Sequence, residues 1–144
     1  MNLLGPVSQI MSRHIISITK EDSIEHIENK FKAHKIHHLP VLENGEIVGM
    51  VSSSDLLFLK RGYDKINPNG GSEQLLNIKA GDIMTEGLAV MEPDDRLNIA
   101  LAVFKKNLFH AIPIVANKEL VGMVTTYDFI KHLDEDEEVV SEYK

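Results

Sequence analysis

Apolar residues fall in short blocks along this chain, and the spacing inside each block names an element. IISI at 15–18 and LAVM at 88–91 are apolar runs bounded by polar residues, the pattern of a short buried strand. After each run the apolar positions recur at intervals of three and four. Ile24, Ile27 and Phe31 form one such stripe, and Leu97, Ala100, Leu101 and Phe104 form another. That period predicts two helices with one buried face each, Asp22 or Ser23 being available to cap the first and Asp95 the second. Two strand patterns follow each helix. LPVLE and EIVGMV meet at Asn44-Gly45, a dipeptide suited to a two-residue hairpin, and IPIVA and ELVGMV meet at Asn117-Lys118. A further helical pattern starts near Asp55 and again near Asp128.

The order strand, helix, strand, strand, helix is therefore written twice. GMVSSSD at 49–55 returns as GMVTTYD at 122–128, and aligning 7–60 with 80–133 without a gap makes 14 of 54 pairs identical. The identities include Met11 with Met84, Phe31 with Phe104, His37 with His110 and Pro40 with Pro113. One copy is too small to bury its own sheet, so two copies must pack together. The expected fold is α/β (α+β), two β-α-β-β-α units packed sheet to sheet with pseudo-two-fold symmetry. Repeat 1 spans 7–60 and repeat 2 spans 80–133. The connection at 61–79 carries Pro68 and Asn69-Gly70-Gly71 and reads as a loop with one short helix. Residues 134–144 begin with five successive acids and read as a solvated tail.

Composition narrows the function. The 144 residues contain no Cys, so disulfides, thiolate metal sites and Cys nucleophiles are excluded. Fifteen Lys and Arg against 22 Asp and Glu give a net charge of −7, the wrong sign for gripping a phosphodiester backbone. Nucleic acid is thus not an expected partner. The opening residues lack a signal-peptide pattern and nowhere do about eighteen apolar residues run together, which predicts a soluble cytoplasmic protein with no membrane partner.

Candidate chemistry lies in the repeated heptad. Ser52-x-x-Asp55 and Thr125-x-x-Asp128 each stand between a strand and a helix, where hydroxyl and carboxylate can form a capping box. A helix start also favours phosphate, and a carboxylate beside it can accept from two neighbouring ribose hydroxyls. The same residues can cap and bind. Met50, Met123, Met84 and Met91 are either core or soft walls for an adenine ring.

With its two copies of (His)-x-(Leu/Ile)-Pro ahead of Gly-x-Val-(Ser/Thr)-x-x-Asp, the chain resembles the CBS domain, named after cystathionine β-synthase, as a tandem pair of the stand-alone bacterial or archaeal type. The resemblance covers about residues 7–133. It implies a regulatory sensor, without a required cofactor, that binds adenosine compounds such as AMP, ADP, ATP or S-adenosylmethionine in clefts between the repeats, AMP first among them. It also implies a homodimer, because one pair leaves an apolar helical face to cover, and an unidentified protein effector in trans. Carried over residue by residue, one cleft would combine Asp128, Thr125, Tyr127 and Met123 with Ser12, His14, Ile16, His37, His38 and Leu39. The other would combine Asp55, Ser54, Ser52 and Met50 with Thr85, Gly87, Ala89, His110, Ala111 and Ile112. The position before Leu-Pro or Ile-Pro, often Arg in nucleotide-binding relatives, is His38 in one copy and Ala111 in the other, so no permanent cation clamps a phosphate. Histidine, with an ordinary pKa near 6.5, brings that charge only on acidification, which disfavours triphosphates. The expected phosphate site is the cleft with Asp128 and the two histidines.

Other constellations are weaker. His34, His37 and His38 have metal-like spacing, but the helix is expected to end near Lys35, His38 already heads a strand and no carboxylate completes the set. No metal site is expected. Nor does the chain contain a nucleophile elbow, a phosphate-binding hydrolase loop or a His-Glu-x-x-His motif, so no catalytic residue is expected. The competing reading is a structural or dimerisation module that binds no ligand, with both aspartates serving only as caps.

Overall fold

The computed structural model describes residues 1–70, 72–107 and 110–135. Its elements run α1 (Ile24–His34), β1 (His38–Glu43), β2 (Glu46–Ser52), α2 (Ser53–Ile66), α3 (Ala80–Ile83), α4 (Leu97–Asn107), β3 (Ala111–Ala116), β4 (Glu119–Thr125) and α5 (Thr126–Glu135). Short 3-10 turns lie at Val7–Gln9 and Ser72–Asn77. The result is a mixed α+β chain with two small antiparallel sheets, β1–β2 and β3–β4. Of the acidic tail, residues 136–144 lie outside the described residues.

The strands expected at 15–18 and 88–91 shrink to single parallel bridges, Ile18 with Val41 and Met91 with Ile114. The prolines explain why. Ile18 N–H donates to the Pro40 carbonyl and Leu42 N–H to the Ile18 carbonyl, at 3.0 and 2.9 Å. The next rung toward residue 16 would need an N–H from Pro40, which has none. Met91 meets Pro113 and Val115 in the same way, so the same truncation occurs twice.

Both hairpins close as the dipeptides predict. Asn44 and Gly45 have φ of 53° and 81°, and Asn117 and Lys118 have 51° and 68°. A two-residue turn with both φ values positive suits the strand twist but strains a side chain such as lysine. Lys118→Gly is therefore expected to stabilise the fold by up to about 1 kcal/mol, read as a higher denaturation midpoint; the matching Gly45→Lys should do the reverse.

The chain divides into two compact units, Ile16–Leu88 and Met1–Ile15 with Ala89–Lys144. This division cuts across the repeat. The opening residues of repeat 1 belong with the body of repeat 2: Val7 N–H donates to the Asp95 carbonyl at 2.7 Å and Ser8 N–H to the Pro93 carbonyl at 3.1 Å. The opening residues of repeat 2 mirror this, Ala80 donating to Asp22 at 2.8 Å and Gly81 to Lys20 at 2.9 Å. Each unit has its own core. Ile18, Ile27, Leu39, Val41 and Val51 centre one; Val7, Leu97, Ile112, Ile114 and Val124 centre the other, where Phe104 and Phe129 meet edge to face at 5.9 Å.

Helix caps refine the expectations. Ser23 caps α1, its hydroxyl accepting from His26 N–H at 3.1 Å, while Asp22 instead holds the preceding turn through Thr19 N–H. Asp95 likewise takes Glu92 N–H at 2.8 Å and does not cap α4. It stands one residue too early, and the position after it is Arg96, which offers no acceptor. The first α4 donors, Leu97 and Asn98 N–H, go instead to the carbonyls of Gly5 and Leu3, both at 2.9 Å. Leu101, expected on the buried stripe with Leu97, Ala100 and Phe104, is exposed at its edge.

In the Ile16–Leu88 unit, Glu28 of α1 meets Lys60 of α2 at 2.6 Å and Lys32 at 3.3 Å. The Lys60 hydrogen bond, working against partial burial, holds the Glu28 carboxyl below its ordinary value near 4.5. A carboxyl lowered on folding stabilises the fold above its unfolded-state pKa, and that contribution fades as pH falls through the folded value. Glu28→Gln should thus be less stable than the parent at neutral pH and converge with it once the pH has fallen below the folded carboxyl's lowered value, as measured by denaturant melts along that range.

Candidate functional site

The repeated heptad ends each unit's second strand and opens the helix that follows. Its glycine comes first. A Cβ at Gly49 would lie 2.5 Å from Met84 Sδ, and one at Gly122 would lie 2.6 Å from Met11 Sδ. Each methionine belongs to the opening segment of the other repeat. Bare glycine lets that segment close on the strand, where Ser12 and Met123 then bridge through N–H to carbonyl bonds of 2.8 and 3.0 Å. Thr85 and Met50 bridge in the same fashion at 2.9 and 3.0 Å. The residue before the heptad's apolar end is thus tied to the hydroxyl residue that opens the other repeat.

Hydroxyl and carboxylate then form the cap. At α2, Ser52 N–H donates to Asp55 Oδ2 at 2.9 Å and Asp55 N–H to Ser52 Oγ at 3.1 Å, a reciprocal capping box. At α5, Thr125 N–H donates to Asp128 Oδ2 at 2.8 Å and Asp128 N–H to Thr125 Oγ1 at 3.2 Å. Thr125 Oγ1 also donates to Asp128 Oδ2 at 3.1 Å, whereas Ser52 Oγ pairs with Ser54 Oγ at 2.9 Å. Both caps use Oδ2, and Oδ1 of each aspartate stands outside them. The histidines just ahead of β1 and β3 close the first turns with their carbonyls: His37 accepts from Ser53 N–H at 2.9 Å and His110 from Thr126 N–H at 3.2 Å. Two of the first three helix donors are therefore consumed by the protein, leaving the amides of Ser54 and Tyr127 between them.

The candidate residues distribute as follows. Ser12, His14, Ala89, His110, Ala111, Ile112, Met123, Thr125, Tyr127 and Asp128 belong to the unit that holds β3 and β4. Ile16, His37, His38, Leu39, Met50, Ser52, Ser54, Asp55, Thr85 and Gly87 belong to the Ile16–Leu88 unit. Within the latter, His38 pairs with Ser52 across the sheet, and His37 Nδ1 lies 3.4 Å from Ser53 Oγ at the start of α2. Ala111 pairs with Thr125 at the equivalent place. Leu39 and Ile112, at 0% and 1% exposure, are core beneath these helix starts, and Met50 and Met123 are buried. Ser12, His14, Ala89 and Gly87 are exposed, Gly87 with φ of 66°. Met84, offered by the sequence as core or as a wall for an adenine ring, packs against Gly49; Met11, Gly49 and Gly122 are the additions made by this close approach, and their identity in both copies was the available signal. Among the described residues no group of three or more His, Asp or Glu is placed to hold a metal, and no helix is long and apolar enough to cross a membrane.

This geometry can be set beside known proteins. The family model of the CBS domain matches residues 7–62 and 80–135. Among curated relatives, the uncharacterized protein MJ1225 of Methanocaldococcus jannaschii is 25% identical over 132 residues, which is 91% of this chain and 44% of that one. Homoserine O-acetyltransferase of Methanosarcina acetivorans is 25% identical over 122 residues, 83% of this chain but only 20% of the enzyme. The chain thus spans less than half the length of these relatives. Among solved structures, CBSX2 in complex with AMP superposes with a TM-score of 0.76 at 21% identity, covering 91% of this chain and 97% of that one. A Vibrio cholerae protein assigned to acetoin utilization (AcuB) gives 0.78 at 23% identity, covering 97% and 98%.

Proposed function

The chain belongs to the CBS domain family, and on that premise we propose that it is a regulatory sensor that binds an adenosine nucleotide, AMP foremost, and signals to a partner protein. The observation that carries this reading is the pair of heptads. Each sets a carboxylate with one oxygen outside its cap next to a hydroxyl and a helix start, the groups that a ribose and its phosphate require. The similarity to CBSX2, whose structure contains AMP, supports the ligand class.

The residues proposed to bind are Asp128, Thr125 and Tyr127 with Ser12 and His14, and Asp55, Ser52 and Ser54 with Thr85 and Gly87. The aspartates take ribose hydroxyls; the hydroxyl residues and the amides of Ser54 and Tyr127 face phosphate. With His38 and Ala111 ahead of the prolines, phosphate charge must be met by imidazole and dipoles. A monophosphate suits that better than a triphosphate. AMP affinity should rise as pH falls from about 8 to about 6, where histidine gains charge, while adenosine should not follow it. Calorimetry with both ligands at both pH values checks this. Equal slopes would remove the imidazoles from the site. No stabilisation by millimolar AMP, ADP, ATP, S-adenosylmethionine, NAD or cyclic dinucleotides would leave a purely structural module.

The sensor is proposed to work as a homodimer through the outer stripe of α5, where Ile130 and Leu133 are exposed one turn apart. Light scattering should return about twice 16.2 kDa.

A further inference from the structure

The two heptads cap their helices alike but present different donors beyond the cap. At α5, Thr125 Oγ1 accepts from Asp128 N–H at 3.2 Å and donates its single proton to Asp128 Oδ2 at 3.1 Å. That hydroxyl is spent inside the cap. At α2, Ser52 Oγ accepts from Asp55 N–H at 3.1 Å, and its other contact is Ser54 Oγ at 2.9 Å. Two hydroxyls carry two protons and the bond between them uses one, so whichever serine donates, one proton is left over. The place of Ser54 is taken in the other copy by Tyr127, which has no short hydroxyl to draw the Thr125 proton away from Asp128.

Imidazole follows the same asymmetry. The sequence assigned His37 and His38 to Asp128, but the structure joins both to the Ser52–Asp55 end: His37 Nδ1 lies 3.4 Å from Ser53 Oγ, and His38 pairs with Ser52 across the sheet. In the other copy these places hold His110 and Ala111. His110 meets the α5 start through its carbonyl, and the Ser12 hydroxyl donates to the His14 carbonyl at 3.5 Å. Among the described residues neither histidine brings a ring nitrogen to a hydroxyl of the α5 start. What the α5 start offers instead is Tyr127, 67% exposed, an aromatic face of the kind on which a nucleobase stacks.

We propose that the heptads divide the ligand between them. The Ser52–Asp55 end selects for a 5′-phosphate, which meets the Ser54 amide, the spare serine proton and the His37 imidazole. The Thr125–Asp128 end reads the nucleoside and takes adenosine and AMP alike, because its hydroxyl proton must leave a carboxylate before it can serve a phosphate. This division rests on the adenosine-nucleotide reading and adds to it which residues decide whether a phosphate is required: Ser54 in one copy and Tyr127 in the other.

Calorimetry with adenosine and AMP on two whole-chain variants tests the division. Asp128→Asn weakens one end and so reports the other; its remaining site should prefer AMP over adenosine by roughly tenfold or more. Asp55→Asn does the converse, and its remaining site should bind the two ligands within about threefold of each other. Ser54→Ala, added to Asp128→Asn, lets the Ser52 proton fall to Asp55 as Thr125's falls to Asp128, and should remove most of the AMP preference while leaving adenosine affinity in place. Tyr127→Ser, added to Asp55→Asn, should create such a preference. Equal AMP-to-adenosine ratios in the two asparagine variants, or ratios that neither serine change moves, would overturn the division and leave the adenosine-nucleotide reading standing. No binding of either ligand by the parent chain would overturn that reading, and the division with it.

Discussion

Asp128→Asn is expected to keep the melting temperature close to that of the parent protein while weakening AMP by about 1.5–3 kcal/mol, the loss of a charged hydrogen-bond acceptor. The prediction follows from the division of labour at one side chain. Asp128 Oδ2 accepts from Thr125 N–H and from Thr125 Oγ1, and an asparagine carbonyl oxygen can accept both. The second carboxylate oxygen, outside the cap, is replaced by an NH₂ that can only donate. A ribose that offers two hydroxyls then loses its acceptor and the negative charge that strengthens the bond. Asp128→Ala removes the cap as well, and should lower stability by about 0.5–2 kcal/mol on top of the binding loss. Calorimetry and thermal melts on the two variants separate the roles. If Asp128→Asn binds AMP at parent strength and Asp128→Ala merely melts early, the residue is a cap and nothing more. Asp55→Asn, at the partner heptad, asks the same question of the Ile16–Leu88 unit.

The sequence made the repeated elements legible because each is a local pattern. Asn44-Gly45 announces its turn, Ile24, Ile27 and Phe31 announce a buried face, and Ser52-x-x-Asp55 announces a cap. What it did not disclose is which segments pair across long separations. Val7 and Ser8 dock on the turn at Pro93–Asp95, and Leu3 and Gly5 cap α4; no periodicity within the first ten residues specifies a partner some ninety positions away. Asp95 illustrates the difference. As a residue type ahead of an apolar stripe it is a good cap, but its carboxylate closes the preceding turn, and carbonyls from the chain's beginning satisfy the helix instead. The candidate site was readable in the same partial way. Its hydroxyls and carboxylates were visible as a motif, whereas the consumption of helix donors by the His37 and His110 carbonyls depends on how each hairpin meets its helix.

The glycines of the heptad provide the sharpest test of that long-range pairing. Gly49→Ala and Gly122→Ala are each expected to destabilise the fold by about 1–3 kcal/mol through overpacking, measured by denaturant unfolding. The two should differ in how they can be rescued. At Gly49 the three nearest atoms to a new Cβ, at 2.5, 2.8 and 3.0 Å, all belong to the Met84 side chain. Trimming it in Gly49→Ala/Met84→Ala should recover part of the loss, with a coupling of about 0.5–3 kcal/mol in a double-mutant cycle. At Gly122 the obstacles are Met11 Sδ and Cγ at 2.6 and 3.0 Å and also the Ser12 carbonyl oxygen at 3.1 Å. That carbonyl accepts from Met123 N–H, so the backbone bridge itself must shift and Met11→Ala should rescue less. Because the bridge holds Ser12 beside the Thr125–Asp128 cap, Gly122→Ala should also weaken AMP, whereas Lys118→Gly, on the same hairpin but at its turn, should leave AMP binding unchanged. Equal rescue at both glycines would mean that the methionines alone fix the approach and that the Ser12–Met123 bridge follows them passively.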